Sequence, residues 1–207
     1  ASLADPLAPL LASVRRTYDA ARPALDDDLA LRSGPLNEQW QARGAGLLLA
    51  VRRLAESELL PDEARVVLVE PVLGGGGAAF SPYNVVTFEA LLANPVPQLP
   101  EVLRLAWLVA QLNLDLPRYA DRLPRPRLAR VGGLALVPLV LAAAEDVELA
   151  RLDRATIEVA IATWQAPQAD NATVAETVDA WWQVYLESRS ELPHALVALD
   201  QMLGAPD

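Results

Sequence analysis

The sequence contains no cysteine, no lysine and a single histidine, His194. Without cysteine, disulfide scaffolds, thiolate zinc sites, iron–sulfur clusters and cysteine nucleophiles are excluded. All 17 basic residues are arginine, which removes Schiff-base lysines and the phosphate-binding lysine of a P-loop. A lone histidine supplies neither an HExxH pair nor a multi-histidine metal site. No catalytic residue, metal site or cofactor is therefore expected, and an enzymatic role is disfavoured. Isoleucine is nearly absent too, with 2 residues against 38 leucines and 37 alanines. Leucine and alanine lose little side-chain entropy in a helix and β-branched residues lose more, so this apolar set is weighted toward helix.

Positive charge is scarce and unevenly placed. The formal net charge is −10, whereas a nucleic-acid reader needs a basic stripe to displace counterions; no nucleic-acid partner is expected. Residues 118–130 nevertheless hold Arg118, Arg122, Arg125, Arg127 and Arg130 against Asp121 alone, and residues 141–191 hold ten carboxylates against three arginines. These segments read as two solvated faces of opposite sign. The alternative is a site for an anionic partner at Arg118, Arg122 and Arg125.

Long hydrophobic runs are also lacking. The most apolar one, Val131 to Ala144, has 14 residues and contains Gly132, Gly133 and Pro138. A membrane span needs about 18–20 residues, so no membrane crossing is expected and the run fits a core helix. The 53% apolar share excludes disorder, which requires low hydrophobicity. The chain begins Ala1-Ser2 without an initiator methionine, which reads as the start of a trimmed form. A cytoplasmic location is the expectation, with prior removal of a signal peptide as the alternative.

Along the chain, Leu7, Leu10, Leu11, Val14 and Tyr18 recur at helical spacing after Asp5-Pro6, an N-cap followed by proline, and Arg22-Pro23 ends the helix. Ser33 or Gly34 is expected to cap a second amphipathic run through Leu36, Trp40, Leu47, Val51 and Leu54, with Gly44 and Gly46 as interruptions. The β-branched run at 65–70 and a second at 84–89 flank Gly74, Gly75, Gly76 and Gly77. They predict a β-hairpin with a long glycine-rich tip, Arg65 facing Glu89, followed by a proline-rich connector to residue 99. Glu101 to Asn113 is apolar on most sides, the mark of a buried central helix. Pro138 is placed at the start of a helix running to about Leu152, and Asp153 caps one running to about Trp164. Thr173-Val174-Ala175-Glu176 forms a capping box opening a helix, and Glu191 to Leu203 forms the last one, with Gly204 beyond it.

The local motifs are weak as chemistry. A phosphate cradle joins glycines to a helix N-terminus, but here a strand-like run follows; a flexible tip is the simpler reading, with a ligand-covering or partner-contacting flap as the other. Glu145, Asp146, Glu148 and Asp153 cluster without a Glu-x-x-His partner and read as a solvated acidic face, as do Asp26, Asp27 and Asp28. His194 reads as a surface or capping residue, since no G-x-S-x-G elbow offers a nucleophile. Trp181 and Trp182, with Tyr185, could line an aromatic pocket or partner face; the adjacent Trp181 and Trp182 point about 100° apart on a helix, so one is expected in the core and the other nearer the surface. Asn171-Ala172-Thr173 matches a glycosylation sequon of the kind that recurs by chance.

The order of an edge strand (Val85 to Glu89), a proline-rich connector and a buried helix (Glu101 to Asn113) resembles the surroundings of the active-site helix of zinc metallopeptidases. That resemblance is one of element order over about 30 residues. The helix carries Ala106-Trp107-Leu108-Val109-Ala110 where that family has H-E-x-x-H, and so the resemblance implies a catalytically dead relative.

These features predict a mainly α, single globular domain over residues 1–207, with about seven to nine helices and one inserted β-hairpin within 65–99. The expected role is a non-catalytic protein-interaction or structural module, acting on a protein partner or as a homodimer. One alternative is a small-molecule binder with a pocket between hairpin and helices, using Tyr83, Trp107 or the arginine-rich stretch. The other is a carboxylate-dependent hydrolase or the dead metallopeptidase-like scaffold.

Overall fold

Leucine- and alanine-rich segments make the structure 68% helical, and the mainly α class with an inserted β unit holds. The computed structural model describes residues 4–71, 76–91, 93–94, 96–164 and 170–204. Helices α1 (Ala4–Ala21) and α2 (Leu25–Gln39) lead through a π-helical turn (Trp40–Gly44) into α3 (Ala45–Leu54). A small sheet of β1 (Arg65–Val69), β2 (Gly77–Phe80) and β3 (Val85–Glu89) follows. The remaining helices are α4 (Glu101–Ala110), α5 (Pro117–Ala120), α6 (Arg125–Asp146), α7 (Arg154–Trp164), α8 (Asn171–Ser188) and α9 (Leu192–Leu203).

The core is organised around α6, which packs against α3, α4, α5, α7, α8 and α9. This helix is longer than its apolar run suggests: Pro138 lies inside it rather than at its start. An internal proline removes a hydrogen bond and costs about 3 kcal/mol. Burying Leu134, Leu136, Val137, Leu139, Val140 and Leu141 offsets that several times over, at roughly 1.5–3 kcal/mol per side chain. With 22 residues α6 is long and apolar enough to cross a bilayer by length and composition, yet 78% of its most apolar window is buried inside the fold. Its glycines are packing positions. A Cβ at Gly132 would fall 2.5 Å from Leu114 Cδ1, and the Gly133 carbonyl accepts the Trp107 indole N–H at 2.9 Å.

The sheet corrects the predicted strand pairing. The expected strands both exist and pair with each other, but in parallel, Arg65 lying beside Val85 and Val69 beside Glu89. The hairpin is made instead by β2 and β3, antiparallel with Ala79 opposite Val86, and the sheet order is β1-β3-β2. Gly77-Ala78-Ala79-Phe80 escapes strand propensity because glycine and alanine are depleted in strands. Its small residues serve close approach: a Cβ on Gly77 would meet Leu108 Cδ1 of α4 at 2.6 Å and the Thr87 carbonyl oxygen at 2.7 Å. Asn84 closes the turn in the left-handed region, φ 48°, which asparagine tolerates.

Two helix starts also differ from expectation. Pro35 lies within α2, where it and Leu31 are exposed, so water reaches the carbonyl that proline leaves unbonded. Asp170, not Thr173, caps α8: its carboxylate accepts the Thr173 amide at 3.0 Å and hydroxyl at 2.6 Å. Asp153 caps α7 as expected, accepting the Thr156 amide at 2.8 Å.

Two glycine-to-alanine substitutions should move stability in opposite directions. Gly77→Ala forces a Cβ against backbone and should cost about 1–3 kcal/mol. Gly46→Ala meets only Val147 at 3.6 Å inside α3 and should gain up to about 1 kcal/mol from helix propensity. Urea unfolding midpoints at constant slope check both.

Candidate functional site

Gly76, in the glycine run, is tied to the fold by a buried arginine and a buried glutamate. Arg104 is the sole charge in the stretch Val102 to Ala110 of α4, and it is buried with the rest. Its guanidinium donates to the Gly76 carbonyl, to the Glu89 carbonyl at 3.0 Å and to the Glu101 carboxylate one turn back. It also lies 3.8 Å from the centre of the Phe88 ring. Glu89, buried as well, accepts the Gly76 amide at 2.8 Å and donates its own amide to the Gly76 carbonyl at 3.1 Å. Gly76 is thus held through both its backbone groups, and a planar fork with several fixed donors is what joins two carbonyls and a carboxylate at once. Burial lowers the Arg104 pKa, and the Glu101 carboxylate pulls it back up. Gly74 and Gly75 lie outside the described residues, and Gly77 opens β2.

A second polar centre gathers on Glu56, between α3 and the turn Ser57–Leu59. One oxygen accepts the Tyr119 hydroxyl at 2.9 Å and faces the Arg118 guanidinium at 3.1 Å; the other accepts the Leu192 amide at 3.0 Å. Arg118 also pairs with Glu58, bridging two carboxylates. Tyr185 donates to the Leu54 carbonyl at 3.1 Å. Burial, then the hydrogen bond to Glu56, pushes the Tyr119 phenol well above its ordinary range; burial and the Glu56 charge raise Tyr185. This centre ties α3, α5, α8 and α9 together. Open grooves flank it, one of about 420 Å³ along Arg53, Glu56, Tyr185 and Arg189, and one of about 450 Å³ along Arg52, Glu58 and Asn113.

The remaining predicted residues are dispersed. Arg127 pairs with Asp200 of α9, so the arginine-rich stretch meets carboxylates of other elements. Arg122 and Arg125 are exposed, with no ion pair among the described residues. Tyr83 is 78% exposed and lines a groove of about 740 Å³ with Glu63, Arg65 and Asn84 at the end of the sheet. Trp107 is buried and tilted against Trp164 at 5.9 Å, and Ala106 to Ala110 is buried throughout. Trp181 and Trp182 are both buried, against the expectation of one nearer the surface, because α8 is covered by α6, α7 and α9. The Trp181 indole donates to the Ala195 carbonyl at 2.8 Å; the buried Trp182 indole N–H has no partner among the described residues. His194 is exposed, 3.8 Å from the Glu191 carboxylate. Glu145, Glu148 and Asp153 line a groove of about 560 Å³, and among the described residues no group of His, Asp or Glu is placed to hold a metal ion.

One surface stands apart. An amphipathic helix ordinarily turns its apolar stripe to the core, but every residue of α1 from Leu7 to Ala21 is exposed. Leu7 is 50% exposed, Leu10 63%, Leu11 66% and Val14 65%. Among the described residues, the polar ties from this segment to the body lie at its C-terminal end, where Tyr18 donates to the Glu70 carboxylate and Arg22 pairs with it. The spacing of the stripe is legible in the sequence; its exposure is not. Arg104 also carried a signal, a lone charge in an apolar helix, which needs a partner when buried. Glu56 carried none.

Comparison of the chain with protein-family models, with curated proteins and with solved structures finds no match.

Removing Arg104 leaves Glu89 and Glu101 without their shared cation, so Arg104→Met should cost about 3–5 kcal/mol. Arg104→Lys should recover only part of it, since one ammonium lacks the fork geometry; unfolding by urea measures both. Tyr119 gives a pH signature. Its folded pKa lies above the value of about 10 for a free phenol, so its contribution to stability is intact below pH 10 and falls as pH rises through the window above. Tyr119→Phe should flatten that alkaline loss, read as unfolding free energy against pH from 8 to 11.5.

Proposed function

We propose that this protein is a non-catalytic module that works through protein contacts, with the outward stripe of α1 as its contact surface. The observation that carries this reading is the exposure of Leu7, Leu10, Leu11 and Val14 in one line. Contiguous apolar surface of this kind on a folded chain marks an interaction site. The composition supports the same reading, since cysteine and lysine are absent and the single histidine is exposed. So do the polar centres: the carboxylates around Arg104 and Arg118 take their partners from the chain itself.

A photo-cross-linking amino acid at Leu11, with the same probe at exposed Gln183 of α8 as control, tests it. The expected result is a protein adduct, to itself or to another chain, at position 11 and not at 183. Equal yields at the two positions, or none, would remove the reading.

A further inference from the structure

We infer that the surface covering the α1 stripe is a second copy of this chain, the two helices lying antiparallel; this rests on the reading of α1 as a contact surface. The stripe is self-complementary. Leu7, Leu11, Val14 and Tyr18 are spaced four, three and four residues apart. Both Leu7 with Tyr18 and Leu11 with Val14 centre on the same point, between residues 12 and 13. An antiparallel two-fold therefore sets Leu7 against the partner's Tyr18 and Leu11 against the partner's Val14, with reciprocal contacts on both sides, as an isologous interface requires. Leu10 lies along one flank of the seam.

Size bears on the occupant and charge on the direction of pairing. From the exposures of Leu7, Leu10, Leu11, Val14 and Tyr18, the stripe offers at most roughly 500 Å² per copy, so full coverage on both sides buries about 1,000 Å², the size of a small, weak interface. The helix has 18 residues and is about 27 Å long, tied to its body through Tyr18 and Arg22 at one end. Antiparallel pairing puts the two bodies at opposite ends of the seam. Parallel pairing would bring two chains of net charge −10 side by side.

Light scattering at about 100 μM should give twice the 22.3 kDa chain mass, and Leu11→Glu with Val14→Glu should reduce it to one chain mass with an unchanged circular dichroism spectrum. Both side chains are exposed within one chain, so the double variant leaves its fold intact. Because the chain has no cysteine, nitroxides at Ser13→Cys and Ala20→Cys report the direction of pairing. Antiparallel helices hold the labels at 20 about 21 Å farther apart along the axis than those at 13; equal separations overturn the arrangement. A monomeric wild type, one that floats with anionic vesicles, or a double variant that stays dimeric overturns the inference. A monomer whose Leu11 probe captures a different protein overturns it too, while leaving the contact-surface reading standing; a monomer without any adduct removes both.

Discussion

The structure depends on hiding one helix. From Leu128 to Ala144, α6 presents apolar side chains in nearly every direction, and water is excluded only if other elements surround it. The six helices packed on it do so. Its interior departures from good helix chemistry make sense in that setting. Gly132 lets Leu114 close in and the Gly133 carbonyl receives the Trp107 indole, while Pro138 costs far less than the burial around it returns. The hydrophobic surplus of the composition is thus consumed by one core that includes residues from α3 to α9.

Charge then decides how the smaller parts attach. The sheet reaches α4 through Arg104, which gathers two backbone carbonyls and a carboxylate. The loop after α3 reaches α5 and α9 through Glu56. In each case a buried or half-buried charge is matched by groups from elements far apart in sequence, so breaking the match leaves a charge without compensation in a poorly hydrated place. These centres hold the fold together, and their donors and acceptors are engaged in doing so. The arginine-rich stretch follows the same rule through Arg118 and Arg127.

What the core does not use is α1. It has the apolar spacing of a core helix without a core to face, and it is anchored where Tyr18 and Arg22 meet Glu70. A helix that exposes its leucines to water gains from any apolar cover, which is why the functional reading rests there rather than on the glycine run or the tryptophans. Trp107, Trp181 and Trp182 are committed to packing, and Gly76 is bound through both backbone groups.

The helical class, the buried α4, the capping of α7 by Asp153 and the amphipathic spacing of α1 were all determined by the sequence, because each follows from residue type and local period. Tertiary structure alone decided the rest. The parallel pairing of β1 with β3 required β2, whose small residues look like loop until α4 packs over Gly77. Pro138 ends a helix in water but not inside a shell of helices that rewards continuing it. Glu56 becomes a hub because Tyr119 and Leu192, 63 and 136 residues away, are brought to it. Periodicity identifies an apolar face, but which surface covers that face depends on how the other elements fill the space, and on α1 they leave it open.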